Sequence, residues 1–411
     1  MLNHVLPNKD LTLYRDPVVR TLIALYGLVL PVTSAFAFTQ IINLPLIVSL
    51  VLLSWMIFRQ SFRLPRAAMY VVALFVVPIL ISAVVNIEFT GDEKFVNHLA
   101  SYFAVVILFY LVPSAFMHYQ GGVELFIRWI NVGLAISCLF LIFEFIAINF
   151  ISSDVLDLIP RPAVQGYEPI VLDLLIRPRS FVEESGHFAM YIGILGPTCL
   201  LLKKRGLRIA LGMLYAFAMM LTFSTSGYIA LALIIGIALL LRTRLVLPSI
   251  IVLTLFCLLA IPTEWLDSIS AVMSSTFIEK FSSGSFEERY AFLYESLRLW
   301  ERSGVTTLLF GLGPGYYSYW HVNAVISLYA LILFQSGIIG AILFAVLLGM
   351  YVLKCLRRIP QLEAVVFVMA LSSMFVFYAG VSNYWYPWVW GLFALIDREV
   401  KRQPILRTLS T

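Results

Sequence analysis

Charge is scarce in this chain. Asp, Glu, Lys and Arg supply 12% of its 411 residues, while 61% are hydrophobic. So little charge cannot clothe a water-soluble surface, which excludes a soluble globular fold. The formal net charge of +5 follows from loop topology and gives no sign of a nucleic-acid partner. Cysteine is scarce too: Cys138, Cys199 and Cys257 lie inside apolar runs and Cys355 at the edge of another, so a disulfide framework is not expected. The chain has no HExxH, no cysteine cluster, no Walker loop and no Asp-x-Asp. Neither a metal site nor a cofactor is therefore expected. With no internal repeat or low-complexity linker, residues 1–411 read as a single integral membrane domain.

What the chain does have is apolar runs of about 16–30 residues, long enough to cross a bilayer core and too long for barrel strands. Helices satisfy their own backbone groups in lipid. The expected fold is an all-α polytopic membrane protein of about twelve transmembrane helices. They are placed near 21–38, 41–58, 68–86, 96–117, 124–150, 187–202, 207–222, 226–241, 246–261, 322–353, 362–381 and 383–396. The run at 322–353 is long enough to be tilted or broken. Most of the 28 Lys and Arg fall in alternate loops, in clusters such as Arg59, Arg63 and Arg66 or Lys203, Lys204 and Arg205. The positive-inside bias puts those loops and both termini on the cytoplasmic side. The polar start leads into the first run with no small-residue cleavage site, so that run is expected to remain as an anchor.

Two large extracytoplasmic loops follow, at 151–186 and 262–320. Against the bias they keep Arg177, Arg179 and Arg289. Guanidinium forks on the disfavoured side point to an anion, and their planar geometry suits a diphosphate. The alternative is pairing with Asp173, Glu183 or Glu184. In the second loop, Ser285 and Glu288 form a capping-box pattern, and Tyr290, Leu293, Leu297 and Trp300 recur at helical spacing. They predict an amphipathic helix over 286–302 on the membrane surface; a helix packed on the bundle for stability is the alternative. Gly311, Gly313, Pro314 and Gly315 make a turn-rich approach to His321 and Asn323. An imidazole there can shuttle a proton near neutral pH, although His98 and His187 occupy similar boundary positions. Glu144 lies inside the fifth run, where a carboxylate is costly unless paired; an Arg from the outer loops is its expected partner, in a catalytic or a purely structural role.

Four stretches resemble the O-antigen polymerase and O-antigen ligase superfamily of bacterial cell-envelope glycosyltransferases. They are RPRSFVEESGHFAMYIG (177–193), LTFSTSGYIALAL (221–233), LLFGLGPG (308–315) and HVNAVISLYALILFQSGIIGAILF (321–344). Two departures stand out: Thr225-Ser226-Gly227 replaces a frequent Ser-Arg-Gly, and Gln335 replaces a frequent acidic residue. The resemblance implies a GT-C-like bundle in the bacterial cytoplasmic (inner) membrane and a metal-independent, inverting glycosyl transfer. Its donor would be an undecaprenyl-diphosphate-linked oligosaccharide. Arg177, Arg179 and Arg289 would hold the diphosphate, with Asn323, Glu144 and His187 as further substrate-binding residues. His321 is the first choice to take the acceptor's proton, and Glu183 or Glu184 the second. Polymerisation of repeat units is the favoured reaction, with ligation of the glycan to a lipid acceptor as the alternative. Membrane lipid, a chain-length regulator and a flippase are the further partners implied. The rival class is a lipid-linked oligosaccharide flippase or transporter. Against it stand the outward position of the longest loops and the absence of two repeated halves.

Overall fold

The structure, a computed structural model, describes residues 16–38, 42–59, 62, 65–119, 121–152, 159–160, 171–172, 175–240, 284–359 and 361–399. The expected ninth span (246–261) and much of both large loops lie outside them. Among the described residues the fold is that of an all-α membrane protein. The helices are α1 (Pro17–Val29), α2 (Leu44–Phe58), α3 (Ala67–Val85), α4 (Glu93–Phe116), α5 (Gly122–Phe150), α6 (Ser185–Leu201), α7 (Arg205–Leu221) and α8 (Thr225–Leu240). Then follow α9 (Gly284–Arg302), the short α10 (Val305–Phe310) and α11 (Tyr316–Tyr319), α12 (Leu328–Leu356), α13 (Leu362–Tyr378) and α14 (Pro387–Glu399). Of these, α3, α4, α5 and α12 are long and apolar enough to cross a membrane; α1, α2, α6, α8 and α13 are apolar but shorter. A two-residue antiparallel ladder pairs β1 (Val171–Leu172) with β2 (Leu175–Ile176).

Prolines shape the long helices. Pro78 and Pro113 lack the N–H of a regular turn and crowd the preceding carbonyls. Each stands two residues beyond a π-helical stretch, Val72–Val76 and Val105–Leu111, where the helix widens to absorb the defect. Pro31 acts more severely. The expected first span, 21–38, is helical just to Val29, and residues 33–38 form an irregular segment. That segment is tied to the loop before α6: the Ser34 and Ala35 amides donate to the Phe181 carbonyl and the Phe36 amide to the Pro160 carbonyl. The expected first span is thus cut short, since a 13-residue helix rises about 20 Å, less than a bilayer core of about 30 Å.

The tenth expected span is a broken helix. Inside α12, Gly337 adopts φ 69° and ψ −173°, a conformation that a Cβ would strain. Residues 309–312 fill the break. A Cβ on Gly337 would strike the Leu309 carbonyl, and one on Gly311 would lie 2.5 Å from the Gln335 carbonyl carbon. The Leu312 amide donates to the Phe334 carbonyl, which the break leaves without a helical partner. Gln335 is buried there; its side-chain oxygen accepts from Tyr102 at 2.7 Å and its carbonyl from Ser82 at 2.6 Å.

Each long helix carries the chain between two ends of the bundle. One end collects residues 86–98, 144–152, 177–187, 304–328 and 378–386. The other is clamped by Asp397, which accepts from Tyr110 (2.6 Å) and Tyr351 (2.9 Å) and pairs with Lys354. Between them an aromatic-rich core includes the fully buried Trp388, Tyr191 and Tyr384.

Candidate functional site

The loop before α6 is held by a buried carboxylate. Glu144, 1% exposed on α5, accepts from the backbone amides of Arg179 (2.8 Å) and Ser180 (2.6 Å). Ser180 sits at φ 54° and donates its hydroxyl to the Ser137 carbonyl at 2.8 Å. Phe181 stacks on Phe140 of the same helix at 4.6 Å. The carboxylate inside the fifth apolar run thus meets Arg179 through its backbone amide, and two charge-assisted bonds fix the loop's path.

Fixing that path buries Arg177. Its Nε donates to the Thr222 carbonyl at 3.0 Å, at the turn between α7 and α8. Burial pushes its pKa below the ordinary value, and the neighbouring Glu184 carboxylate and Tyr228 hydroxyl draw it back up. Arginine stays protonated under such shifts, so the site holds a fixed positive charge. One of its five N–H donors is on Thr222, and the described residues take none of the other four.

The next turn carries the titratable groups. His187 is buried in the first turn of α6. Its Nδ1 is 2.8 Å from the Tyr386 hydroxyl and 3.6 Å from Glu183, and its Nε2 is 3.7 Å from Glu184. Glu183 is further engaged by Thr33 (3.2 Å) and Tyr386 (3.4 Å), and Asn383 donates to the Tyr386 hydroxyl at 2.8 Å. Glu183 is 15% exposed against 38% for Glu184, so Glu184 is the carboxylate open to an incoming group. Trp388 stacks on Tyr386 at 4.3 Å and fixes its ring.

Six sequence-predicted residues therefore come together: Glu144, Arg177, Arg179, Glu183, Glu184 and His187. The others stand apart. His321 is exposed at φ 54°, and no hydrogen bond or ion pair among the described residues joins it to that cluster. Asn323 donates its amide (3.2 Å) and side chain (3.4 Å) to Glu295 on α9. Arg289 falls on α9, but its side chain lies outside the described residues. The expected amphipathic helix is present as Gly284–Arg302, with a divided apolar face: Trp300 is buried and Leu297 packs on the core, while Tyr290 and Leu293 are exposed.

Sequence reasoning passed over Tyr386, Asn383, Thr33 and Thr222. The run Tyr384-Trp385-Tyr386-Pro387-Trp388 was the available signal, four aromatic residues around a helix-starting proline. It also links the two groups. His98 Nδ1 bonds the Tyr384 hydroxyl (3.0 Å) and its Nε2 the Tyr317 hydroxyl (2.8 Å), one ring nitrogen donating and the other accepting, and Trp385 lies between His98 (6.1 Å) and Tyr386 (6.5 Å). Burial and the nearby Asp92 carboxylate raise the Tyr317 pKa, which leaves its hydroxyl protonated for that bond. Compared with known proteins, the chain matches no family model and no curated protein.

Proposed function

We propose that this protein is a membrane glycosyltransferase acting on a lipid-diphosphate-linked glycan, with the 177–187 end of the bundle facing away from the cytoplasm. The observation that carries the reading is the buried Arg177 guanidinium, held by a loop that Glu144 fixes, near the Glu184 carboxylate that His187 adjoins. In the reaction, an acceptor hydroxyl oxygen attacks the anomeric carbon of the donor sugar. The carbon–oxygen bond to the diphosphate breaks, and its electron pair leaves with the diphosphate. Arg177 faces the charge that develops there, and a fixed guanidinium in a dry site stabilises it strongly. Glu184 takes the hydroxyl proton, with His187 beside it held in orientation by Tyr386. A single displacement inverts the anomeric centre.

Polymerisation of undecaprenyl-linked repeat units is the specific reaction the sequence resemblance supports, and glycan ligation is the related alternative. Arg179 and Arg289 are the further diphosphate-facing candidates, and His321 would act from the acceptor side. A transporter of the same lipid-linked glycan is the second reading. The break in α12 at Gly337 favours it, because discontinuous helices line many transporter sites. Purified protein with a lipid-linked donor and an acceptor, in detergent and with a chelator added, separates these readings. Transfer should proceed without an ion gradient and should fail in Arg177→Gln. Inert protein that moves labelled donor between liposome leaflets would select the transporter.

A further inference from the structure

A cavity of about 1050 Å³ opens between α9, the residues after α3 and the segment before α12. We infer that this cavity is a saccharide-binding subsite, separate from the Arg177 loop, formed by the rings of Phe89, Tyr294 and Trp320 with the planar polar groups of Arg298, Arg302 and Glu295.

Its lining selects the ligand class. Trp320 is 38% exposed and offers ring surface to an occupant; Tyr294, 44% exposed, is stacked on Tyr290 at 6.2 Å and contributes what that stack leaves open. Phe89 backs them, 5.6 Å from the Trp320 ring and stacked on Tyr319 at 4.2 Å. Apolar faces of this kind pack against the C–H face of a pyranose. Around them stand donors and acceptors of both signs. Arg298 lies 4.6 Å over the Tyr294 ring, Arg302 follows one turn later, and neither has a carboxylate in ion-pair range among the described residues. Glu295 holds Asn323 by one oxygen, and Glu88 lines the opposite wall. Guanidinium donors and carboxylate acceptors together suit hydroxyls, which donate and accept at once. The two carboxylates oppose a diphosphate, and so many polar groups oppose a lipid tail. The volume exceeds that of one sugar ring and falls at the large end of small-molecule sites.

The aromatic link through Tyr317, His98, Trp385 and Tyr386 places this cavity at the same end of the bundle as Arg177. In the proposed reaction it would hold the acceptor glycan, with His321 adjoining Trp320; that assignment rests on the glycosyltransferase reading, whereas saccharide binding does not. The test is saturation-transfer NMR on the full chain in lipid nanodiscs. Its probes are glucose, galactose and glucuronate hexasaccharides, with inorganic pyrophosphate as competitor. Saturation should reach the ring protons of at least one saccharide and weaken about tenfold or more in Trp320→Ala and in Arg302→Gln. It should persist in Arg177→Gln and in the presence of pyrophosphate. Absence of transfer to all three saccharides overturns the inference, as does undiminished transfer in both cavity variants. Displacement by pyrophosphate overturns it too, by making this an anion site. Failure of the glycosyltransferase reading would leave saccharide binding intact, and failure here would leave donor use at Arg177 intact.

Discussion

Around residues 177–187 the polar groups engage one another, whereas Arg298 and Arg302 on α9 meet no carboxylate among the described residues. Glu144, Ser180, Glu183, His187 and Tyr386 hold one another or nearby backbone at 2.6–3.6 Å, and Arg177 is anchored to Thr222. Arg298 and Arg302, by contrast, line a wide cavity with no ion-pair partner among the described residues. The first arrangement is preorganised: its dipoles are already oriented when charge develops, which is what transition-state stabilisation requires. The second leaves hydrogen-bonding capacity for a ligand to fill. Substitutions in the two regions should accordingly fail in different ways.

The largest contrast is expected at Arg177. Arg177→Gln should lower turnover by about 10³-fold with protein still folded, as removing one fixed group facing a developing oxyanion does. Single-turnover assays of glycosyl transfer read this directly, and a variant near wild-type rate would reduce Arg177 to a packing residue. Glu144→Ala should instead act on stability, costing about 3 kcal/mol, because two buried amides lose their acceptor. Thermal unfolding in detergent reports it. A fully stable Glu144→Ala with lost activity would move Glu144 into the chemistry.

Smaller effects sharpen the boundary between the regions. Tyr386→Phe keeps the ring on Trp388 but removes the hydroxyl from His187. It should lower kcat about tenfold with KM for the donor unchanged, since His187 positions the Glu184 carboxylate that takes the proton as the new bond forms. A change confined to KM would make Tyr386 a binding group. The mildest expectation is at Asn323. Asn323→Ala removes the side-chain donor to Glu295 and keeps the backbone one; it should change KM for the acceptor by about threefold, the scale of a single exposed hydrogen bond, with the donor KM unaffected. Reversal of that selectivity would merge the two regions into one site.

Much of the helical layout was legible because long apolar runs have few alternatives in lipid, and the amphipathic pattern over 286–302 marked α9. The end of α1 was readable in principle from Pro31. What hid it was the apolar run continuing past the proline, where residues 33–38 satisfy their backbone on a distant loop. Gln335 shows the same limit: its place in a helical pattern gives no hint of the break that Leu309–Leu312 fill. In the site, Arg177, Glu183, Glu184 and His187 were legible as polar residues crowded at a span entrance. Tyr386 and Thr33 were not, because the contacts that recruit them join residues 203 and 150 positions apart in sequence. His321 was drawn in by its boundary position, and local sequence could not separate it from His187, whose partner Tyr386 lies 199 positions away.

In the proposed function, Arg177 and the groups around it transfer a sugar from a lipid diphosphate. The most direct measurement incubates purified full chain with radiolabelled lipid-linked glycan and acceptor in detergent, without a gradient, and follows free lipid diphosphate and extended glycan together. Wild-type protein should release the two in equal amounts, and Arg177→Gln should release neither. Glycan extension undiminished in Arg177→Gln, or no release by wild-type protein that transports the donor in liposomes, would contradict it.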